Sequence, residues 1–270
     1  MINYTNQLFN KISNQFFVIA GPCIIECEDE SIQIAKKIKS ICDKLGILYI
    51  FKGSYRKANR TNIESFTGIG DQKAIDILIR IKRDVGVPVL TDMHSVSDIN
   101  KYAKFIDIIQ IPAFLSRQTD ILMSAGDTNK IVNIKKGQFL SANNISYAIN
   151  KVKHSGNSKI IVTERGVMFG YQDLVVDFRN IPIMRSFGYP VVLDATHSLQ
   201  KPNQDIGVTG GDPKMIETIA SAGAASGIDG VFIETHANPD KAKSDGANML
   251  KLEKLEKLLT KLVKIKRAII

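Results

Sequence analysis

The chain has 270 residues, 44% of them hydrophobic, and carries 36 Lys+Arg against 27 Asp+Glu for a formal net charge of +9. That is enough apolar material for one large core or two modest ones, yet no apolar run approaches the roughly 20 residues needed to cross a bilayer. The opening MINYTNQLFNKISNQ is polar and lacks the apolar block of a signal peptide, and three cysteines, an odd number, argue against a disulfide framework; the expectation is a soluble cytoplasmic protein without membrane contacts.

The first strand is expected at Phe16 to Ala20, leading to Gly21-Pro22-Cys23. The second, Ile47 to Phe51, ends at Lys52 and opens a polar segment with Arg56, Lys57, Asn59, Arg60 and Thr61. Val87 to Leu90 leads to Thr91-Asp92, Ile106 to Ile109 to Gln110, and Ile131 to Ile134 to Lys135-Lys136. Ile160 to Val162 leads to Glu164-Arg165-Gly166, Val191 to Leu193 to Asp194 and His197, and Val231 to Ile233 to Glu234 and His236. Helical stretches lie between, among them Ser31 to Lys44, Gln72 to Arg83 and Pro213 to Ala225.

Near the C-terminus, Leu252, Leu255, Leu259 and Leu262 recur at helical spacing beneath a lysine-rich face. From Lys251 to Arg267, six Lys and one Arg outweigh two Glu, so +5 of the net charge sits there. This is the pattern of a solvated amphipathic helix. Without aromatic residues interleaved among the cations, it gives no support to a nucleic-acid surface.

Eight strand-then-helix units are the count of a (β/α)8 TIM barrel, whose chemistry sits at the C-terminal strand ends. A doubly wound open sheet is the alternative, but it usually stops at five or six strands. No linker or composition break divides the chain, so residues 1–15 are expected as a short N-terminal cap and 16–270 as one barrel domain. The aligned strand ends are Cys23, Lys52, Asp92, Gln110, Lys135, Arg165, His197 and Glu234.

Two subsets carry chemical meaning. Lys52, Lys57, Arg60, Lys135 and Arg165 would repel one another around one mouth unless anions arrive, and Lys and Arg are the side chains that hold phosphates. Some of them are expected to pair with Asp92, Glu164 or Asp194. Cys23, His197, Glu234 and, a loop later, Asp245 offer the ligand types of zinc or ferrous iron, while the plain alternative for Cys23 is a buried small hydrophobe. Cys27 and Cys42 read as helix-face residues, His94 as a possible site residue of the third strand, and His154 as solvated in a Lys-rich loop.

Ala20-Gly21-Pro22-Cys23, Lys57-Ala58-Asn59-Arg60, Gln110 to Leu115, Arg117-Gln118-Thr119-Asp120 and Asp194-Ala195-Thr196-His197-Ser198 together resemble the 3-deoxy-D-manno-octulosonate 8-phosphate synthases, from about Phe16 to Leu250. The alternative is the 3-deoxy-D-arabino-heptulosonate 7-phosphate synthases, which use erythrose 4-phosphate and carry Lys-Pro-Arg where this chain has Lys57-Ala58-Asn59-Arg60. The resemblance implies condensation of phosphoenolpyruvate with arabinose 5-phosphate and water for lipopolysaccharide synthesis, by a cytoplasmic homotetramer. Cysteine after Gly-Pro marks the metal-dependent type. That implies a divalent ion (zinc or ferrous iron first, manganese next) on Cys23, His197, Glu234 and Asp245.

The same resemblance implies that Lys52, Cys23, His197 and Asp92 form the catalytic group. Lys52, Lys135 and Arg165 would clamp phosphoenolpyruvate, helped by Gln110 and Ala113. Asn59, Arg60 and Thr61 would hold the sugar phosphate and Asp92 a sugar hydroxyl, with Ser54, Lys57 and Ser198 in the same substrate set. Arg117 would reach into a neighbouring subunit. Departures from the family pattern are Gly53, expected to loosen its loop, Arg56 in place of an acid, and Asp212-Pro213-Lys214 in the loop after the seventh strand, Gln200 to Pro213.

Overall fold

The computed structural model describes residues 3–60, 62–168, 173–201 and 210–269. Eight parallel strands form in the expected places: β1 (Phe17–Gly21), β2 (Leu48–Lys52), β3 (Val89–Asp92), β4 (Ile108–Ile111), β5 (Ile131–Lys135), β6 (Ile160–Glu164), β7 (Val191–Asp194) and β8 (Gly230–His236). Each pairs with its sequence neighbour, and β8 returns to β1 with Phe17 opposite Gly230 and Gly21 opposite Glu234. The sheet is therefore closed, and the chain is a (β/α)8 barrel rather than an open sheet. Closure seats Cys23, just past β1, beside Glu234 of β8, residues 211 positions apart in the chain.

The helices are α1 (Tyr4–Asn14), α2 (Glu28–Leu45), α3 (Asp71–Arg80), α4 (Val96–Tyr102), α5 (Thr119–Asp127), α6 (Ile145–His154), α7 (Asn180–Arg185), α8 (Ile216–Ala225) and α9 (Leu255–Ala268). Three differ locally from the periodicity reading. The stretch expected to be helical up to Arg83 widens after Arg80 into a π-helical turn, Ile81–Val85; Ile77, Leu78, Ile81 and Val85 stay buried through it, so the apolar pattern gives no warning. Pro213–Met215 is a 3-10 turn before α8, and Leu252–Lys254 another before α9. Cys27 caps the start of α2 and is exposed rather than lying on a helix face, Cys42 is buried on α2, and His154 ends α6 rather than sitting in a loop.

Side chains alternate across each strand, and so build two apolar layers. One lies between strands and helices. The other fills the barrel interior with residues such as Phe17, Ile19, Ile50, Ile108, Ile161 and Phe232, joined by Leu8 and Ile12 of α1. Gly21 lets β1 and β2 approach closely at their C-terminal ends, since a Cβ there would lie 2.0 Å from the Lys52 carbonyl oxygen. No helix among the described residues is long and apolar enough to cross a membrane.

Ile12 is fully buried, so Ile12→Ala is expected to lower unfolding free energy by about 2–4 kcal/mol in denaturant titration. The distance from the strand ends means turnover should not change.

Candidate active site

Above the apolar interior, the C-terminal strand ends surround a cavity of about 440 Å³. Lys52, Lys57, Arg60, Lys135 and Arg165 all line it, as do Asn59, Asp92, Gln110, Ala113, His197 and Asp245. The expected mutual repulsion is largely offset from within. Lys52 Nζ, 1% exposed, donates to the Cys23 carbonyl at 2.7 Å and to Glu234. Lys135 Nζ lies 2.5 Å from Asp194 Oδ2 and 3.9 Å from the centre of the Phe232 ring. Arg60 sits 3.8 Å from Asp245. Five cations thus face four carboxylates, Asp92, Asp194, Glu234 and Asp245.

For Lys57, Lys135, Arg165, Asp92, Asp194 and Glu234, burial disfavours the charged form and the neighbours decide the outcome. Burial pushes the Lys135 ammonium below the ordinary lysine range against the pull of Asp194 and Asp92. It also lowers Arg165. For Lys57, burial opposes the charge but Cys23, Glu234, Asp245 and Asp92 outweigh it, and the pKa rises. Asp92, Asp194 and Glu234 are buried too, yet Lys52 and Lys57 around Asp92, His197 and Lys135 around Asp194, and His197 and Lys52 around Glu234 hold them well below the usual carboxylate range.

A hydrogen-bonded chain links four strands beneath the cavity. Thr163 Oγ1 donates to Asn133 Oδ1 at 2.7 Å, Asn133 Nδ2 to Gln110 Oε1 at 2.8 Å, and Gln110 Nε2 to Asp92 Oδ1 at 2.5 Å. Ser54 donates to the other oxygen of Asp92. Asp92 is held from both sides as an acceptor. Asp194 orients a second group: its Oδ1 accepts from the backbone N–H of Thr196 and His197, and its Oδ2 lies 2.5 Å from His197 Nδ1. His197 is left with Nε2 free to face Glu234 Oε1, 3.3 Å away.

Cys23, Glu234 and Asp245 each place one donor atom within 4.8 Å of the other two, a grouping that can hold a metal ion. Cys23 Sγ lies 3.1 Å from Asp245 Oδ2 and 2.9 Å from Ser244 Oγ. Burial, then Asp245 and Glu234, push the thiol pKa far up. Asp245 has a left-handed backbone at φ 51, uncommon for a residue with a side chain.

A model of the DAHP synthetase I family matches residues 2–270. The chain belongs to that family. Within it, the chain is similar to the 2-dehydro-3-deoxyphosphooctonate aldolase of Desulfosudis oleivorans, 51% identical over 252 residues that cover 93% of this chain and 90% of the relative. The enzymes of the same name from Koribacter versatilis (48% over 258 residues, 94% and 92% covered) and Syntrophobacter fumaroxidans (48% over 257 residues, 95% and 89%) are comparable. These names favour the octulosonate reading over the heptulosonate alternative.

Not every residue expected at the site is brought to it. Ser54 is buried beneath Asp92 rather than lining the cavity. Ser198 lies in the 3-10 turn His197–Leu199, its hydroxyl buried and without a hydrogen-bond partner among the described residues. Arg117 is exposed and away from this chain's cavity, its carbonyl accepting from Lys151. Thr61 and residues 202–209 of the loop after β7 lie outside the described residues. His94 lines the cavity with Nδ1 buried and unpartnered among the described residues, and burial lowers its pKa.

Two departures from the family pattern receive a different meaning. Arg56 is turned away from the mouth, paired with Asp71 at 2.8 Å and Asp98 at 2.9 Å over the Tyr55 ring. It ties the start of the Lys57-to-Gly70 loop to the helix that follows, and is not one of the anion-facing cations. Gly53 does not loosen the chain either, because a Cβ there would meet Ile25 Cδ1 at 2.5 Å; its small size admits the Ile25 side chain. Ser244, which also accepts from Arg60, was not foreseen, and neither were Asn133 and Thr163. For the last two, the available signal was a polar residue inside an apolar strand, where burial demands a partner.

Folded-state pKa values depressed below the unfolded ones contribute stability that is complete above the unfolded values and disappears as pH falls through the folded ones. Asp92, Asp194 and Glu234 are all of this kind, so Tm should drop as pH falls from about 5 to about 2. Calorimetry on Asp194→Asn should show a shallower fall over that range.

Proposed function

We propose that this chain joins phosphoenolpyruvate to D-arabinose 5-phosphate and water, releasing phosphate and 3-deoxy-D-manno-octulosonate 8-phosphate for lipopolysaccharide synthesis. The observation that carries the reading is the convergence of Lys52, Lys57, Arg60, Lys135 and Arg165 on one cavity beside the Cys23, Glu234 and Asp245 group. Two phosphorylated substrates are the ligands that a rim of this composition suits.

Lys135 and Arg165 are assigned to the phosphate and carboxylate of phosphoenolpyruvate, with Gln110 and Ala113 alongside. Arg165 Nη1, buried without a partner among the described residues, is available for that contact. Lys57, Asn59, Arg60 and Thr61 are assigned to the sugar phosphate, and Asp92 accepts from a sugar hydroxyl. Held this way, the nucleophilic C3 of phosphoenolpyruvate would meet the aldehyde carbon at about 3–3.5 Å, and orientation would supply much of the rate. Lys52 Nζ stabilises the charge that develops on the aldehyde oxygen. Water adds at C2 and phosphate departs from the resulting hemiketal phosphate.

The donor set fits a divalent ion: a thiol and two carboxylates already gathered, with His197 Nε2 beside Glu234 to complete four ligands. Zinc or ferrous iron suits the thiol best, with manganese next. Bound there, the ion would polarise the sugar aldehyde or acidify a water. His197 serves as a ligand and not as the base, because Asp194 occupies its other ring nitrogen. The assembly proposed is a cytoplasmic homotetramer in which exposed Arg117 reaches a neighbour's sugar phosphate, with residues 1–15 as cap and 16–270 as catalytic barrel.

The test is phosphate release with the two aldehydes side by side. Release should need both phosphoenolpyruvate and arabinose 5-phosphate and be far weaker with erythrose 4-phosphate; preference for the four-carbon sugar would overturn the reading. Exhaustive chelation should abolish activity and readdition of the ion restore it, with bound metal stoichiometrically lost in Cys23→Ala. Arg117→Ala should raise KM for the sugar phosphate by roughly 10- to 100-fold with phosphoenolpyruvate KM unchanged.

A further inference from the structure

Directly behind the rim lies a buried ion pair that takes no part in lining the cavity. Lys136 Nζ is 3.4 Å from Glu164 Oε1, and both side chains are 0% exposed. Glu164 is fully engaged: Oε1 also accepts from the backbone N–H of Arg165 at 2.9 Å and of Gly166 at 2.7 Å, and Oε2 accepts from Asn180 Nδ2 of α7 at 3.0 Å. Gly166, at φ 90, gives the turn after β6 the left-handed residue that lets two successive N–H groups converge on one oxygen. Lys136 Nζ donates further to the Leu140 carbonyl at 3.0 Å.

The sequence neighbours of this pair matter most. Lys136 follows Lys135 at the end of β5, and Glu164 precedes Arg165 at the end of β6. Alternation along a strand turns neighbouring side chains to opposite faces, so Lys135 and Arg165 face the cavity while their partners meet behind the barrel wall. Lys136 N–H also donates to the Thr163 carbonyl at 2.8 Å, which locks the two strand ends in register. Buried ion pairs are poor stabilisers compared with apolar residues of equal volume. This one holds, at backbone level, the two residues whose spacing defines an anion clamp.

We infer that Lys136 and Glu164 are positioning residues, whose buried contact sets the separation and aim of Lys135 and Arg165 and thereby the affinity for phosphoenolpyruvate. The identity of that ligand rests on the function proposed above; the geometry does not. Neither residue touches substrate. Their effect is confined to the clamp side, because the Lys57-to-Arg60 loop is anchored elsewhere, through Arg56, Asp71 and Ser244.

Three variants test this: Glu164→Gln, Lys136→Met and the two combined. Binding of phosphoenolpyruvate is read by calorimetry, KM for each substrate by phosphate release, and folding by thermal unfolding. Each single change strands one buried charge, so the double variant, which strands none, keeps the test decisive if the singles do not fold. Expected is a double variant with parental Tm, phosphoenolpyruvate affinity weaker by roughly 10- to 100-fold, and an arabinose 5-phosphate KM within about twofold of the parent. Parental affinity in a folded double variant overturns the inference, as does an equal shift in both KM values or loss of the fold, since the pair would then be a stability element only. A parent enzyme that binds no phosphoenolpyruvate overturns instead the assignment of the site, and this inference with it.

Discussion

Burying cations at the end of a barrel is costly, and the arrangement around the cavity is governed by how that cost is offset. Lys52, Lys135 and Lys136 are each less than a tenth exposed, and each meets a carboxylate presented by another strand: Glu234 of β8, Asp194 of β7 and Glu164 of β6. An isolated ammonium in such surroundings would shed its proton. For Lys135 and Lys136 the closed sheet opposes that loss by fixing a carboxylate within reach, though burial still lowers both pKa values. The same pairings tie strand ends together, Lys136 to the adjacent β6 and Lys52 and Lys135 each to a strand one place further round the barrel, so the charge network and the precision of the rim have one physical origin.

That balance also explains why the site suits anionic ligands without being a bare cluster of positive charge. The carboxylates absorb most of the repulsion in the free protein, while Arg165 keeps a buried nitrogen without a partner among the described residues, and Lys57 and Arg60 stand toward the cavity. A divalent ion on the Cys23, Glu234 and Asp245 group would displace the thiol proton that burial now holds in place. It would shift the rim further toward the charge that phosphorylated substrates need. An ion bound there would be electrostatically coupled to the cation-lined cavity through Glu234, which also bonds Lys52 and faces His197.

Much of this could be read from the chain because strand ends announce themselves. An apolar run that stops at a polar or reactive side chain is hard to explain except as a strand carrying a group to a shared edge; of the eight such groups, six line the one cavity and the other two, Cys23 and Glu234, are buried beside Asp245. What could not be read obeys other rules. Arg56 is next to Lys57 in sequence, but its direction depends on Asp71 and Asp98 in two different helices. Gly53 looked like slack in a loop because its meaning depends on Ile25. Asp245 was legible only as a ligand-type side chain a loop after β8: it reaches Cys23 from a loop in an unusual backbone conformation, and no local spacing encodes that. The π-helical turn after α3 keeps the apolar face of an ordinary helix and so left no trace.

The central claim is that two anions are held at one rim, with phosphoenolpyruvate seated between Lys135 and Arg165 and the sugar phosphate beside Asn59 and Arg60. A crystal structure of the metal-loaded protein soaked with both substrates' non-reacting analogues tests it most directly. The account predicts one phosphate within hydrogen-bond reach of Lys135 and Arg165 and the other against the Lys57-to-Arg60 loop. Both analogues bound away from these residues, or a single anion neutralising the whole rim, would contradict it.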